Sequence, residues 1–204
     1  MRLPNSAHES HPWVIAEIAH DFRLLDVWAV PVQGHAGDFD SFVEVMTSLD
    51  PDDAGLPSRV LFWVRLRLGD LFGWDDRTKE HAIPGATETT LSARLPEDLR
   101  GSAESAVVGD ALQRVGAAFV PLYRTDEEWA AEISNDTVHA VLHLAWVEQE
   151  KERYRGQLAI YVKPRGRLGD AYMKLIEPFR HLIVYPALMR QIERAWDARA
   201  SQRI

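Results

Sequence analysis

The sequence contains no cysteine, and this absence excludes several kinds of chemistry. Without thiols there is no disulfide framework, no zinc site built on thiolates and no cysteine nucleophile. The 204 residues, of which 46% are apolar, suit one folded domain with a full hydrophobic core. We expect a single domain over residues 21–200, preceded by a loose N-terminal leader over residues 1–20.

Positive charge is also scarce, with 23 lysines and arginines against 31 aspartates and glutamates, for a net charge of −8. Attraction to nucleic acid or to anionic membranes is therefore disfavoured. The first residues lack the apolar core of about 7–15 residues that is typical of a signal peptide. The uncharged run at residues 181–189 is too short to span a bilayer. We expect a cytoplasmic protein with no nucleic-acid partner and no integral membrane association, while the oligomeric state stays open.

Nucleotide and hydrolase motifs are missing as well. No glycine-rich dinucleotide loop follows a predicted strand, and neither a Walker-type loop nor a Gly-x-Ser-x-Gly elbow occurs. His8 and His11 have a spacing that can chelate a metal, but they lie in the leader and do not match the His-Glu-x-x-His pattern. We therefore expect no cofactor and no metal site.

Residues 22–30 predict the first strand, which Pro31 is expected to end. Strict alternation places five of its side chains on one face: Phe22, Leu24, Asp26, Trp28 and Val30. Asp26 is then either a buried carboxylate with partners or a sign that the strand bends.

Helices are predicted after this strand. Asp38 has the residue type of an N-cap for a helix that ends at Leu49, with an apolar stripe formed by Phe39, Phe42, Val43 and Met46. Residues 59–72 favour a second helix over a strand, because the apolar run is long for a strand. Residues 75–115 are polar and contain several prolines and glycines, and only a helical turn at residues 96–99 is predicted there.

The second half predicts four strands, over residues 117–124, 128–134, 137–147 and 155–163. A long helix over residues 170–199 follows, with Asp170 as its N-cap. Pro178 and Pro186 should kink or interrupt this helix. The predicted fold class is α+β, with a curved antiparallel sheet packed on the C-terminal helix and a helical insertion after the first strand.

One hairpin can be counted residue by residue. Asn135 and Asp136 suggest a two-residue turn. Counting outward then pairs Ile133 with Val138, Ala131 with Ala140, and Trp129 with Leu142. On the opposite face, Glu132 meets His139 and Glu128 meets His143. This register places the apolar residues together and both Glu–His pairs together.

The next hairpin is constrained by the same faces. Leu144 and Trp146 continue the apolar face, and Leu158, Ile160 and Val162 form that of the last strand. For these faces to agree, the connection around residues 150–152 needs an odd number of residues, or the hairpin needs a bulge.

The pairs Glu132–His139 and Glu128–His143 are the candidate catalytic residues. A carboxylate beside a histidine orients the ring and raises its pKa, as a general base requires, but ordinary cross-strand pairing explains them as well. A metal shared by both histidines is not expected, since four residues along a strand separate them by roughly 13 Å. The basic residues near the last helix either are solvated or meet an anionic ligand head group: Arg165, Arg167, Arg180 and His181.

Several segments carry a family resemblance: residues 22–26, 95–100, 121–129, 132–135, 137–144 and 156–159, and the C-terminal stretch from Lys163 through Tyr172 to Arg190. Together they resemble the bacterial family catalogued as domain of unknown function 2867, roughly over residues 22–196. The resemblance implies no activity and no catalytic residues. In outline the family is similar to helix-grip (SRPBCC-like) proteins of the START and Bet v 1 type, which implies a cavity for an apolar ligand. The five predicted strands differ from the seven usual in that outline.

Three functions follow from these patterns. The first is binding of a small apolar or amphipathic molecule between sheet and helix, in a site lined by Trp28, Trp129, Leu142, Leu144, Trp146, Ile160, Tyr172, Ile176 and Phe179. The second is an enzyme that uses the same cavity with a Glu–His pair as general base. The third is a structural or interaction protein with a filled core. The seven tryptophans fit either core packing or an aromatic pocket.

Overall fold

The computed structural model of the chain describes residues 1–49, 91–102, 119–134, 138–164 and 177–202. The fold is α+β, as predicted, with one curved antiparallel sheet. Its six strands are β1 (Arg2–Leu3), β2 (Arg23–Gly34), β3 (Val120–Arg124), β4 (Glu128–Ser134), β5 (Val138–Glu150) and β6 (Arg153–Pro164). Their order across the sheet is β1-β2-β6-β5-β4-β3. Strand β1 was not predicted, because two residues are too few to show alternation.

The helices within these ranges are α1 (Ser6–Glu9), α2 (Val14–Ile18), α3 (Phe39–Ser48) and α4 (Tyr185–Gln202). Short 3-10 turns span Ala36–Asp38, Leu91–Arg94 and Glu97–Leu99. A π-helical turn spans Arg180–Val184, directly before α4. Among the helices described, none has both the length and the apolar character that crossing a membrane requires.

The C-terminal helix is interrupted between Pro178 and Pro186, as predicted. Proline lacks the N–H that the α-helical ladder needs, and a π-helical turn is one way to accommodate the gap. The wider turn also rotates the apolar stripe. Phe179, which was predicted to line the ligand site, is 47% exposed, and Leu182 is 77% exposed. The apolar residues that α4 buries are Tyr185, Ala187, Met189 and Ile192.

The other predicted helical elements agree with the structure where it describes them. Helix α3 buries its whole predicted stripe, and the turn at residues 96–99 is present. Asp38 does not cap α3 through its side chain; its Oδ2 accepts a hydrogen bond of 2.9 Å from the His35 N–H. The predicted helix over residues 59–72, the turn at residues 135–136 and the helix start at Asp170 lie outside the described residues.

Strands β5 and β6 form the centre of the sheet, and their pairing confirms the predicted bulge. Even-numbered residues face even-numbered residues along most of the hairpin, with Leu144 opposite Leu158 and Leu142 opposite Ile160. The register shifts between Glu148 and Glu150, next to a two-residue turn. Glu152 in that turn has φ of 61°, in the left-handed region that such tight turns require.

The register predicted between β4 and β5 is wrong by two residues. Trp129 lies opposite Leu144 rather than Leu142, and Ser134 lies opposite His139. Four residues therefore separate the last paired residues, Ser134 and His139, rather than two. Because side chains alternate with a period of two, this shift leaves every residue on its predicted face.

Strand β2 departs from strict alternation. A bulge between Leu24 and Asp26 adds Leu25 to the strand, so Phe22 and Leu24 lie on the face opposite to Asp26. Pro31 does not end the strand, which continues to Gly34. It lies in a second irregular stretch, where a missing N–H breaks no regular ladder bond.

One face of the sheet, which we name the helix face, packs against α3 and α4. Phe42 of α3 lies directly on Gly156 of β6 and stacks on Trp146 with ring centroids 5.4 Å apart. The core on this face includes Trp28, Val30, Val32, Phe39, Val43, Met46, Trp129, Leu144, Leu158, Tyr185 and Ile192. The C-terminal helix thus covers the predicted apolar face.

The opposite face, which we name the N-terminal face, is covered by the first twenty residues and by residues 91–102. Residues 1–20, expected to be a loose leader, contain β1, α1 and α2 and bury Trp13, Ile15 and Ile18 against the sheet. Sequence patterns missed this layer because its two helices have only four and five residues.

Replacing Gly156 by alanine tests the packing of the helix face. A methyl group there would lie 2.7 Å from Cζ of the buried Phe42, so the ring must shift. We expect Gly156→Ala to lower the free energy of unfolding by about 1–3 kcal/mol, read from the urea midpoint. Gly101→Ala is the control, because apart from its chain neighbours no atom of the described residues lies within 4 Å of its added methyl. Equal midpoints for the two variants would contradict this packing.

Candidate functional site

A buried carboxylate lies where the sheet meets the C-terminal helix. Asp26 follows the bulge in β2 and points to the helix face, with 1% of its side chain exposed. Its Oδ1 lies 2.6 Å from His181 Nε2 and 3.5 Å from Arg2 Nη2. Its Oδ2 accepts a hydrogen bond of 3.0 Å from the Tyr185 hydroxyl and lies 3.1 Å from Arg180 Nη2. Asp26 is therefore a partnered buried carboxylate, and the strand also bends there.

Aromatic rings close over this group, which we name the Asp26 cluster (Arg2, Asp26, Arg180, His181 and Tyr185). The Trp28 ring lies 4.7 Å from that of Tyr185 and 6.4 Å from that of His181, between centroids. Burial, followed by the charge of Asp26, raises the pKa of Tyr185 well above its usual value. The Tyr185 hydroxyl therefore stays protonated and serves as a donor.

The Asp26 cluster has more donors than acceptors. A carboxylate offers about four acceptor positions, and four side chains already approach Asp26. Nε and Nη1 of Arg180 are buried and have no hydrogen-bond partner within the described residues. The indole N–H of Trp28 is also buried and has no partner in the part of the chain that the structure describes. Unpaired buried donors are costly, so this part of the helix face is suited to an acceptor.

Next to the Asp26 cluster, two rows of side chains cross the sheet. Trp28, Leu158, Leu144 and Trp129 face one another in register on four strands, and all are buried. The neighbouring row consists of Asp26, Ile160, Leu142 and Ala131. In this row Leu142 and Ile160 are partly exposed, although they belong to the two central strands. Among the described residues, the apolar floor of the helix face is therefore incompletely covered beside the Asp26 cluster.

The predicted ligand-binding residues divide into three groups. Trp28, Trp129, Leu142, Leu144, Trp146 and Ile160 share the helix face. The space above Trp146 is filled by Phe42 and Trp196, and its indole N–H donates a 2.9 Å hydrogen bond to the His35 carbonyl. Phe179 is largely exposed, whereas Tyr172 and Ile176 lie outside the described residues.

The predicted Glu–His pairs do form, on the N-terminal face. His143 Nε2 lies 3.1 Å from Glu128 Oε2, and His139 Nε2 lies 2.7 Å from Glu132 Oε2. All four side chains are buried. The pairs lie across the sheet from Trp129 and Leu144, on the face opposite to the residues predicted to line the ligand site.

Glu128 is held by more than its histidine. The Tyr123 hydroxyl donates a 2.8 Å hydrogen bond to Oε2, and the Val14 N–H lies 3.2 and 3.1 Å from the two oxygens. Burial favours the neutral acid, but the bonds from His143, Tyr123 and Val14 outweigh it, so the pKa of Glu128 lies below its usual value. The carboxylate thus anchors the N-terminal segment to the sheet.

His8 is a buried residue that sequence reasoning assigned to the loose leader. Its Nδ1 hydrogen-bonds to Gln157 Oε1, and its ring lies 5.1 Å from that of His143 and 5.8 Å from that of Trp13. Burial, together with the nearby His143, lowers the pKa of His8 to about 4. Across the described ranges, no group of three or more His, Asp or Glu side chains is placed to hold a metal ion.

The association of Asp26 with Arg180, His181 and Tyr185 was also missed. Two signals were present: a lone carboxylate in an apolar strand, and a histidine and a tyrosine four residues apart on a helix. Neither signal identifies the partner, because more than 150 residues separate Asp26 from His181.

The chain matches a family model described as protein of unknown function (DUF2867), over residues 18–187. The match includes Asp26, Arg180, His181 and Tyr185, while Arg2 and His8 precede it. No curated protein matches the chain.

The lowered pKa of His8 predicts how stability depends on pH. The folded chain takes up this proton only near pH 4, whereas the unfolded chain takes it up near 6.5, so stability falls as the pH drops between these values. Between pH 7.5 and 4.5 we expect His8 to contribute a loss of about 2–3 kcal/mol in the free energy of unfolding.

Urea unfolding at both pH values checks this, with His8→Gln as the variant and His20→Gln as the exposed control. His8→Gln should be the less pH-dependent of the two. An identical loss in both variants would show that His8 does not carry the effect.

Proposed function

The chain belongs to the DUF2867 family, and we propose that it binds a small amphipathic molecule on the helix face. The observation that carries this proposal is the partial exposure of Leu142 and Ile160 on the two central strands, beside the buried Asp26 cluster. Central strands under a helical layer normally bury such side chains completely, as Leu144 and Leu158 do at 0% and 1% exposure.

The apolar part of the ligand would lie over Leu142 and Ile160. Each methylene group removed from water contributes about 0.8 kcal/mol, so a short hydrocarbon chain suffices for measurable binding. The row behind it is filled, with Leu158 and Leu144 buried between Trp28 and Trp129. The ligand would therefore occupy the row that contains Leu142 rather than the space near Trp146.

The polar end of the ligand would face the Asp26 cluster. Small-molecule sites are mostly apolar with a few well-placed polar groups, and this combination occurs here within two neighbouring rows of the sheet. The π-helical turn that carries Arg180 and His181 forms the cover. Such turns are frequent at functional sites.

The competing hypothesis is a structural or interaction protein with a filled core, and one observation supports it for part of this face. Phe42 and Trp196 both pack against Trp146 at their end of the sheet, and Phe42 and Trp146 are fully buried. The proposal is therefore restricted to the end near Asp26.

Filling the opening tests the proposal. Leu142→Trp should lower the affinity for a fluorescent fatty-acid analogue by about 10-fold or more, since the larger ring occupies the apolar floor. Val120→Trp is the control, because Val120 is exposed on the edge strand β3. Fluorescence titration measures both variants, and native mass spectrometry of gently purified protein reports a retained ligand.

Two results would contradict the proposal. A wild-type chain that is empty in the mass spectrum and takes up neither fatty acids nor hydrophobic dyes does not bind such molecules. Equal affinities of wild type and Leu142→Trp would place any bound molecule elsewhere.

A further inference from the structure

We infer that the ligand of the helix face carries a carboxylate-type anionic head, held by Arg180 and the indole N–H of Trp28. This inference rests on the proposed function and adds the chemical class of the ligand. It is drawn from the donors of the Asp26 cluster and from its charge.

Four side chains surround the two carboxylate oxygens of Asp26. Oδ1 of Asp26 is approached by His181 and Arg2, and Oδ2 by Tyr185 and Arg180. Asp26 thus has two hydrogen bonds, to His181 and Tyr185, and two ion pairs, with Arg2 and Arg180. Arg180 still has two buried nitrogens, Nε and Nη1, without partners among the described residues, and Trp28 has its Nε1. These donors require an acceptor that the described residues do not supply.

The Asp26 cluster has an excess of positive charge. The groups that face Asp26 are Arg2 from β1, Arg180 and His181 from the π-helical turn, and Tyr185 from α4. Two guanidinium groups therefore stand against one carboxylate, before any charge on His181 is counted. Of these two arginines, Arg180 is the more buried, with 13% of its side chain exposed, whereas the side chain of Arg2 is 52% exposed. A singly charged anion balances this excess.

Arg180 is linked to the apolar floor of the helix face through Asp26. Arg180 contacts Asp26, and Asp26 lies directly opposite Ile160 in the sheet, which in turn lies opposite Leu142. An amphiphile whose tail covers Leu142 and Ile160 therefore has its head beside Arg180. A guanidinium group suits a planar carboxylate, and its hydrogen bonds to ions are stronger than those to neutral groups.

Titrations with three probes that share a decyl chain test the inference: decanoate, decanol and decyltrimethylammonium, at pH 8 and below micelle formation. We expect the wild-type chain to bind decanoate about 10-fold or more tightly than decanol, because only decanoate forms charge-assisted bonds. Decyltrimethylammonium should bind most weakly, because it faces an excess of positive charge.

Arg180→Gln should remove the preference for decanoate while leaving the affinity for decanol within about 3-fold. Arg190→Gln is the matched control, since Arg190 is exposed on α4 and outside the Asp26 cluster. Trp28→Phe is a second, milder variant that keeps a ring and removes the N–H. It should weaken decanoate binding several-fold, and by more than it weakens decanol binding.

The two proposals fail in different ways. Equal affinities of the wild-type chain for decanoate and decanol, or an unchanged preference in folded Arg180→Gln or in Trp28→Phe, would overturn the carboxylate inference alone. Absence of binding for all three probes would overturn the proposed function itself.

Discussion

The position of the C-terminal helix over the sheet depends on one buried carboxylate. Asp26 is 1% exposed, and a charge at such a depth is tolerated only when it is paired and hydrogen-bonded. Its donors come from β1 at one end of the chain and from the π-helical turn and α4 at the other. The same contacts therefore hold the helix and close the helix face near Trp28. They also leave two nitrogens of Arg180 without partners among the described residues.

The sheet separates two layers with different chemistry. The helix face combines an apolar floor with the Asp26 cluster, whereas the N-terminal face contains both Glu–His pairs and the buried His8. The bulge at Leu25 sets this division in β2, because it moves Phe22 and Leu24 to the N-terminal face while Asp26 and Trp28 stay on the helix face. One inserted residue thus decides which side chains of β2 lie on the helix face. Glu128, bonded to His143, Tyr123 and the Val14 N–H, is the counterpart of Asp26 on the other side.

The sequence pattern predicted faces better than it predicted registers or partners. Alternation predicted Trp129, Leu142 and Leu144 on one face and His139 and His143 on the other. These faces are correct although the predicted register of the hairpin is wrong by two residues, because side chains along a strand alternate with a period of two. The bulge in β5 and β6 followed from the same rule. The bulge at Leu25 could not be predicted, since no residue type marks it. The partners of Asp26 and His8 were equally hidden, because contacts across more than 140 residues leave no local signal.

Amide hydrogen exchange of the Asp26→Asn variant tests the central claim most directly. If the carboxylate holds the helix, the amides of residues 180–192 should exchange faster by about 10-fold or more, because the donors of Arg180 and Tyr185 lose their charged acceptor. The amides of β5 and β6 should keep their protection, since their ladder does not involve Asp26. Unchanged exchange throughout the helix would contradict the claim that Asp26 holds it in place.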